Sequence, residues 1–324
     1  MNGLPAMIAI TGATGFVGGA LVRHLAERPA FKVRVATRTT YIPPNHNVEQ
    51  VQIDNLTPDS NWADFVSNVE VVVHAAARVH VLMDGAEDPE GEYFQVNVAS
   101  TLNLAEQAAA AGVKRFIFIS SIKVNGESTL PGVPFTADQP ASPVDPYGVS
   151  KFKAEQGLRE LSGRTSMEVV IIRPVLVYGP GVKANFLNMI RWLDKGVPLP
   201  LGSVNNRRSL VALDNLVDLI ATCALHPAAA NQTFLVSDGC DLSTTDLLRQ
   251  VAKSLGKPAR LLPVPVWLLT AAASTMGKKA ISQRLCGSLE VDIAKTCTML
   301  DWTPPSSVEA AMNKTVRYFL EHKE

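Results

Sequence analysis

Runs of apolar residues alternate along the chain with longer segments in which apolar residues recur every three or four positions. The apolar runs predict buried strands at 7–10, 32–37, 48–53, 69–74, 116–120 and 169–172. The helical spacing predicts helices between the strands at 16–27, 98–111 and 147–161. Strands of a parallel sheet are covered on both faces, so this alternation predicts an α/β fold with a doubly wound parallel sheet of the Rossmann type.

The alternation weakens after Tyr178, where the proline and glycine content rises. We therefore expect a Rossmann domain over 1–180 that binds NAD(P). A smaller, partly helical portion over 181–324 is expected to bind mainly the substrate. The segments near 208–220 and 233–236 are candidates for rejoining the first domain.

Composition is that of a folded globular protein, with 47% hydrophobic and 19% charged residues among 324. Lys plus Arg equals Asp plus Glu at 30 each, so no overall field would gather nucleic acid. The longest apolar stretch, 261–274, contains two prolines and is too short for a membrane span. The four cysteines form no C-x-x-C pair, so no metal site is expected. With no leader segment visible, a cytoplasmic location is the default expectation.

A glycine-rich loop joins the first predicted strand to the first helix. Its glycines are three residues apart, in the order G-x-x-G-x-x-G. The first permits a tight turn, the second lets backbone N–H groups approach a pyrophosphate, and the third allows close packing of helix and sheet. The residues of this loop expected to contact a dinucleotide are Gly12, Thr14, Gly15, Phe16, Val17 and Gly18.

The end of the second strand carries Arg38 where many dinucleotide-binding folds place a carboxylate for the ribose 2′-hydroxyl. An arginine can pair with a 2′-phosphate, which favours NADP over NAD. Alternatively, Arg38 stacks on adenine or faces solvent. After the third strand, Asp54 is a candidate for the adenine amino group, with Asn55 and Leu56 beside it, or it is a plain loop carboxylate.

Tyr147 and Lys151 are four residues apart, which places them on one face of the predicted helix. A neighbouring ammonium favours the phenolate and should lower the pKa of the tyrosine. The pair could then exchange a proton with a substrate oxygen while a nicotinamide transfers hydride. Ser121, just past the fifth strand, could donate a hydrogen bond to the same oxygen.

Several motifs occur together and in order: 11–18, 74–77, 97–98, 120–121, 146–151 and 173–180. Together they resemble the extended short-chain dehydrogenases/reductases, and within these the nucleotide-sugar epimerase/dehydratase/reductase group. The segment 206–211 is similar to the strand on which sugar-nucleotide epimerases carry a diphosphate-binding arginine. Residues 301–304 look like the C-terminal turn of the group.

The resemblance implies a role for each matching residue. Tyr147 would be the catalytic acid/base, Lys151 its partner and a ligand of the nicotinamide ribose, and Ser121 the third catalytic residue. Further cofactor contacts would come from Ala75, Ala76, Ala77, Asn97, Pro174 and Val177. The substrate would contact Ser121, Lys123, Asn185, Arg208 and Arg284.

The chain departs from the pattern of the group at three places. Asn125 stands where a tyrosine is usual. Ile122 and Lys123 replace the Asp-Glu pair that dehydratases use to eliminate water, which argues against dehydration. Arg284 is offset from the usual position of a second phosphate-binding arginine.

The resemblance favours a soluble enzyme that reduces the C4 ketone of a UDP-4-keto-6-deoxy-N-acetylhexosamine for bacterial polysaccharide biosynthesis. The segments 120–127 and 206–211 suggest this activity, and the missing acidic residue after the second strand agrees with use of NADPH. A UDP-hexose or UDP-N-acetylhexosamine 4-epimerase is the alternative, and a non-catalytic NAD(P)-binding sensor or scaffold is a remote one. By analogy with the family, a homodimer could form through the alanine-rich helix at 104–111.

Overall fold

A seven-stranded parallel sheet lies at the centre of the molecule, in a computed structural model that describes residues 5–79, 88–275, 277 and 279–323. Its strand order is β3-β2-β1-β4-β5-β6-β9, and β7 pairs with β8 in a separate two-stranded sheet. In chain order the strands are β1 (Ala6–Thr11), β2 (Phe31–Thr37), β3 (Val48–Gln52), β4 (Val71–His74), β5 (Arg115–Ile119), β6 (Glu168–Pro174), β7 (Leu176–Tyr178), β8 (Leu210–Ala212) and β9 (Thr233–Val236).

The strands are apolar on successive residues because each face of the sheet is covered by its own core. On β1, Ile8 and Ile10 pack into one core while Ala9 faces the other. On β5, Ile117 packs into the same core as Ile8, and Phe118 packs into the core that contains Ala9. The predicted Rossmann fold with a doubly wound parallel sheet is thereby confirmed.

Helices cover both faces of the sheet. In chain order, the helices of the described residues are α1 (Phe16–Ala26), α2 (Ala63–Val66), α3 (Pro89–Phe94), α4 (Ser100–Ala110), α5 (Pro146–Arg164), α6 (Ala184–Asp194), α7 (Leu213–Leu225), α8 (Thr244–Ser254), α9 (Val266–Thr275), α10 (Lys279–Cys286), α11 (Ala294–Leu300) and α12 (Val308–His322). Residues of α1, α7 and α11 pack on one face, and residues of α2, α4 and α5 pack on the other. No helix in the described part of the chain is long and apolar enough to cross a membrane.

The C-terminal part has a core of its own. Apolar residues of α6, α8 and α12 pack around the two short strands β7 and β8. The segment 233–236 is different, because as β9 it extends the central sheet beside β6. The chain after residue 180 therefore contributes both to the sheet and to this third core.

Two features position the site. The strand order reverses between β1 and β4, and at such a point an open α/β sheet has a crevice at the carboxyl ends of its strands. In addition, a π-helical turn at Gln95–Ala99 precedes α4, where the sequence predicts a regular helix from residue 98. This turn buries Asn97 beside the crevice.

Candidate active site

The glycine loop lies at the carboxyl end of β1, directly before α1. Gly12 has φ +72°, and a Cβ there would come within 2.7 Å of the Ala76 nitrogen. Gly15 is the N-cap of α1 and makes no side-chain capping bond, and the first turn contains no acidic residue. The first N–H groups of the helix are thus available to an anion, so the loop fits a pyrophosphate.

The second and third glycines of the loop differ in their surroundings. A Cβ at Gly15 would meet only the Gly12 carbonyl oxygen, at 3.1 Å, so that side of Gly15 is otherwise open. A Cβ at Gly18 would overlap the backbone of Gly12. Gly15 therefore leaves room for a ligand, whereas Gly18 lets α1 pack against the loop.

The other predicted cofactor contacts follow the ends of neighbouring strands. Arg38 is exposed immediately after β2, and Asp54 and Asn55 are exposed after β3. The remainder lie at the same edge of the sheet or on β7, and they are Leu56, Ala75, Ala76, Ala77, Pro174 and Val177. Their contact with a dinucleotide remains a prediction.

The structure brings Ser121, Tyr147 and Lys151 together at the carboxyl end of β5. Ser121 directly precedes a short 3₁₀ turn, and Tyr147 lies in the first turn of α5. Asp145 caps this helix by accepting a hydrogen bond of 2.7 Å from the Gly148 nitrogen, and Pro146 follows it as the first helical residue. This cap fixes the start of α5, and with it the tyrosine.

The expected lowering of the Tyr147 pKa by Lys151 is wrong for the protein without cofactor. Burial raises the pKa of Tyr147 well above its ordinary value, with Asp145 and Tyr93 adding to the rise, while a hydrogen bond with Ser121 opposes it. The Lys151 ammonium donates a 2.9 Å hydrogen bond to the Ile119 carbonyl. Burial also lowers the pKa of Lys151 to about 7. Loss of solvation is therefore the main influence on the pKa of both groups, and Tyr147 is a neutral phenol.

A buried polar network connects the glycine loop to α5 and was missed by the sequence analysis. Thr11 Oγ1 lies 2.8 Å from Nδ1 of His74, and Thr101 Oγ1 lies 3.0 Å from its Nε2. Thr101 donates its hydroxyl proton to the Asn97 carbonyl at 2.8 Å. The Asn97 amide in turn donates to Ser150 Oγ at 3.0 Å. Ser150 donates onward to the Tyr147 carbonyl at 2.8 Å, which completes the connection.

The network determines the state of His74. Because the Thr101 proton is already used, Thr101 accepts from Nε2–H, and Nδ1 accepts from Thr11. Burial, together with the charge of Lys151, lowers the pKa of His74 to about 3, so the ring is neutral. His74 is fully buried and supports the loop from within.

A second buried cluster of hydrogen-bonded polar side chains lies near Lys151, around Glu155 on the same helix. The Glu155 carboxylate accepts hydrogen bonds from Arg173 at 2.9 and 2.6 Å and from Ser120 Oγ at 2.6 Å. Arg173 also donates to Asn125 Oδ1 at 2.9 Å. Asn125, which stands where the nucleotide-sugar enzymes usually have a tyrosine, is therefore part of this cluster.

The two arginines expected to bind a diphosphate lie near each other. Burial and the charge of Arg284 both lower the pKa of Arg208, and neither guanidinium has an ion pair among the described residues. Arg208 Nη1 donates to the Gly287 carbonyl at 3.1 Å. The Asn206 amide binds the Leu285 and Gly287 carbonyls, which ties the end of α10 to the Arg208 segment. Two cations that repel each other and have no ion pair among the described residues are suited to a diphosphate.

Lys123 and Asn185 are the remaining residues that were predicted to contact the substrate. The Lys123 ammonium forms ion pairs with Asp145 and Glu127, so it stabilises the start of α5. Asn185 is exposed in the first turn of α6. A role for either residue in substrate binding remains a prediction.

The sequence was compared with models of known families. The model of the NAD dependent epimerase/dehydratase family matches residues 8–237. The chain belongs to this family. The expected resemblance to nucleotide-sugar enzymes of the extended short-chain dehydrogenase/reductase type is confirmed, and the chain is an NAD(P)-dependent enzyme of that type.

Two curated relatives match nearly the whole chain. A UDP-glucose 4-epimerase of Vibrio cholerae is 48% identical over 319 residues, which are 98% of this chain and 97% of that protein. An N-acetyl-alpha-D-glucosaminyl-diphospho-ditrans,octacis-undecaprenol 4-epimerase of Escherichia coli O157:H7 is 27% identical, covering 97% of this chain and 96% of that protein. Both of these family members are 4-epimerases, which favours the alternative considered above over the 4-ketoreductase.

A solved structure of another enzyme has the same fold. The UDP-glucuronic acid 4-epimerase from Bacillus cereus in complex with NAD superposes with a TM-score of 0.78 at 20% identity. The match covers 97% of this chain and 96% of the other.

Proposed function

We propose that the enzyme is a UDP-sugar 4-epimerase that oxidises the C4 hydroxyl and returns the hydride to the opposite face of the ketone. The observation that carries this proposal is the 48% identity to a UDP-glucose 4-epimerase, which extends over nearly the full length of both chains. The cluster of Ser121, Tyr147 and Lys151 serves a reductase equally well, so the geometry alone does not separate the two activities.

The side chains of the site have distinct parts in this reaction. Tyr147 takes the proton of the C4 hydroxyl and gives it back after the sugar has turned, while Ser121 donates a hydrogen bond to the same oxygen. Bound NAD supplies the hydride acceptor and, when oxidised, a positive charge that favours the phenolate. Lys151, which is buried and bonded to the Ile119 carbonyl, holds the ribose side of the site.

Substrate binding is assigned to the arginine pair. Arg208 and Arg284 hold the diphosphate, whose two negative charges relieve the repulsion between the guanidiniums. With the diphosphate as the fixed point, the sugar can present either face of its C4 ketone to the cofactor. That freedom to turn is what an epimerase requires and a reductase does not.

The cofactor is proposed to be NAD that stays bound through many turnovers. An epimerase regains its oxidised cofactor in every cycle, so it has no need of the cellular NADPH pool. The preference for NADP inferred from Arg38 has no support beyond that exposed side chain. The ratio of the dissociation constants for NAD and NADP, measured in wild type and Arg38→Ala, tests the assignment.

The experiment that tests the proposed function needs two arms. The purified enzyme is incubated with UDP-glucose without any reductant, and the product is identified by proton NMR. In parallel it is given UDP-4-keto-6-deoxy-N-acetylglucosamine with NADPH or NADH. Formation of UDP-galactose in the first arm supports the epimerase. Turnover in the second arm alone would make the enzyme a 4-ketoreductase.

A further inference from the structure

Helix α9 carries no charged residue, seven of its ten residues are apolar, and none of its residues is buried. Trp267 is 70% exposed and Leu268 46%, and Leu262, shortly before the helix, is 51% exposed. A helix of this composition is normally covered by other parts of a protein. We call these three exposed side chains the α9 surface. Its exposure indicates that something outside the described chain covers it.

The charges along this part of the chain indicate what covers the surface. Residues 247–289 contain no Asp or Glu, although the chain as a whole is balanced at 30 basic and 30 acidic residues. The same stretch carries Arg249, Lys253, Lys257, Arg260, Lys278, Lys279 and Arg284. The first three are paired with Asp246, Glu309 and Asp194. Of the other four, Arg260 precedes α9 in the sequence, Lys278 lies between α9 and α10, and Lys279 and Arg284 belong to α10.

We propose that the α9 surface docks on an anionic lipid bilayer. A tryptophan and leucines in a stretch of sequence that carries basic and no acidic residues are the elements of an interfacial membrane contact. A second copy docked through the same segment would bring two such basic stretches together, which would be unfavourable. The helix lies in the interface and does not span the bilayer.

This placement has a consequence for the site. Helix α9 packs against α10, and α10 carries Arg284. Docking therefore brings the arginine pair close to the membrane surface. The proposal holds for an epimerase and for a reductase alike, since it does not depend on the reaction.

The test is sedimentation of the full-length protein with vesicles. One set contains phosphatidylcholine alone, and the other also contains about 30% phosphatidylglycerol. We expect wild type to pellet with the anionic vesicles and to be released at high salt. The double variant Trp267→Ser/Leu268→Ser should lose at least about tenfold in partitioning, and Arg260→Gln about fivefold. The control is Trp192→Ser, which removes a tryptophan that is 50% exposed on α6 and should change nothing.

Three results would overturn the proposal. Wild type could stay in the supernatant with both kinds of vesicle, or pellet equally well with both. The double variant could bind as tightly as wild type. Finally, size-exclusion chromatography could show a dimer that only the double variant dissociates, in which case a second copy covers the surface.

Discussion

Two glycine-to-alanine substitutions in the glycine loop, at Gly15 and Gly18, should separate the loop's effect on cofactor binding from its effect on stability. A methyl group at Gly15 would enter the open side of the loop and meet only the Gly12 carbonyl oxygen, at 3.1 Å. A methyl group at Gly18 would overlap the Gly12 backbone. Gly163, near the end of α5, has nothing within 4 Å of its Cβ position and serves as the control.

The magnitudes follow from these surroundings. Gly18→Ala must displace the loop, and overpacking of this kind lowers the free energy of unfolding by about 1–3 kcal/mol. Replacing a glycine inside a helix offsets about 0.5–1 kcal/mol of this loss. Gly15→Ala should change the free energy of unfolding by less than about 1 kcal/mol, because its extended backbone suits alanine. Its methyl group would nevertheless occupy space next to the pyrophosphate. Gly163→Ala should stabilise the protein by about 0.5–1 kcal/mol.

The assay combines urea unfolding with calorimetric titration of NAD. Gly15→Ala should lose at least about tenfold in cofactor affinity with near-normal stability. Gly18→Ala should lose both affinity and stability, and Gly163→Ala neither. Wild-type affinity in Gly15→Ala, or a stability loss as large as that of Gly18→Ala, would refute the assignment of the two glycines.

Three further predictions concern single side chains. Tyr147→Phe should keep its cofactor affinity while turnover falls by about 10²–10⁴. The control is Tyr93→Phe, whose ring centroid lies 6.1 Å from that of Tyr147 and which should retain most activity. Equal losses of turnover in the two variants would mean that Tyr147 acts through packing and not as the acid/base. Arg208→Lys should weaken UDP binding by about tenfold to a hundredfold in titration calorimetry, while the control Arg207→Lys, at an arginine paired with Glu290, should not. His74 stays neutral down to about pH 3 when folded but protonates near pH 6.5 when unfolded, so stability falls on acidification through this range, by about 2 kcal/mol at pH 5. His74→Asn should lack that part of the loss in urea unfolding at pH 7 and 5, and an unchanged loss would contradict the neutral ring.

The parts of the fold that the sequence predicts are those in which local pattern and burial agree. The six strands and three helices predicted between residues 7 and 172 agree with the structure to within a few residues, because β-branched runs such as that of β4 favour a covered strand. Segment 95–99 is different, since its π-helical turn depends on the tertiary contacts of Asn97. Of the alanines at 104–111 that suggested a dimer helix, Ala105 and Ala108 are buried in the core beside the sheet.

The candidate site was predictable where chemistry follows a motif. The Tyr147–Lys151 spacing and the glycine loop need only local geometry. Polar residues whose partners are distant in sequence gave no such signal. Glu155 on α5 accepts a hydrogen bond from Arg173 on β6, and His74 is hydrogen-bonded to Thr101, which is 27 residues away in the sequence. The rise in the Tyr147 pKa could not be foreseen either, because it depends on burial and not on spacing.

The central claim, that hydride leaves and returns to the same carbon, can be tested by one isotope measurement. The enzyme with bound NAD is supplied with UDP-glucose deuterated at C4, in ordinary water and without reductant, and the product is examined by NMR. We predict UDP-galactose that retains the deuterium at C4. Loss of the deuterium, or no UDP-galactose at all from an enzyme that reduces the 4-keto sugar with NADPH, would contradict the assignment as a 4-epimerase.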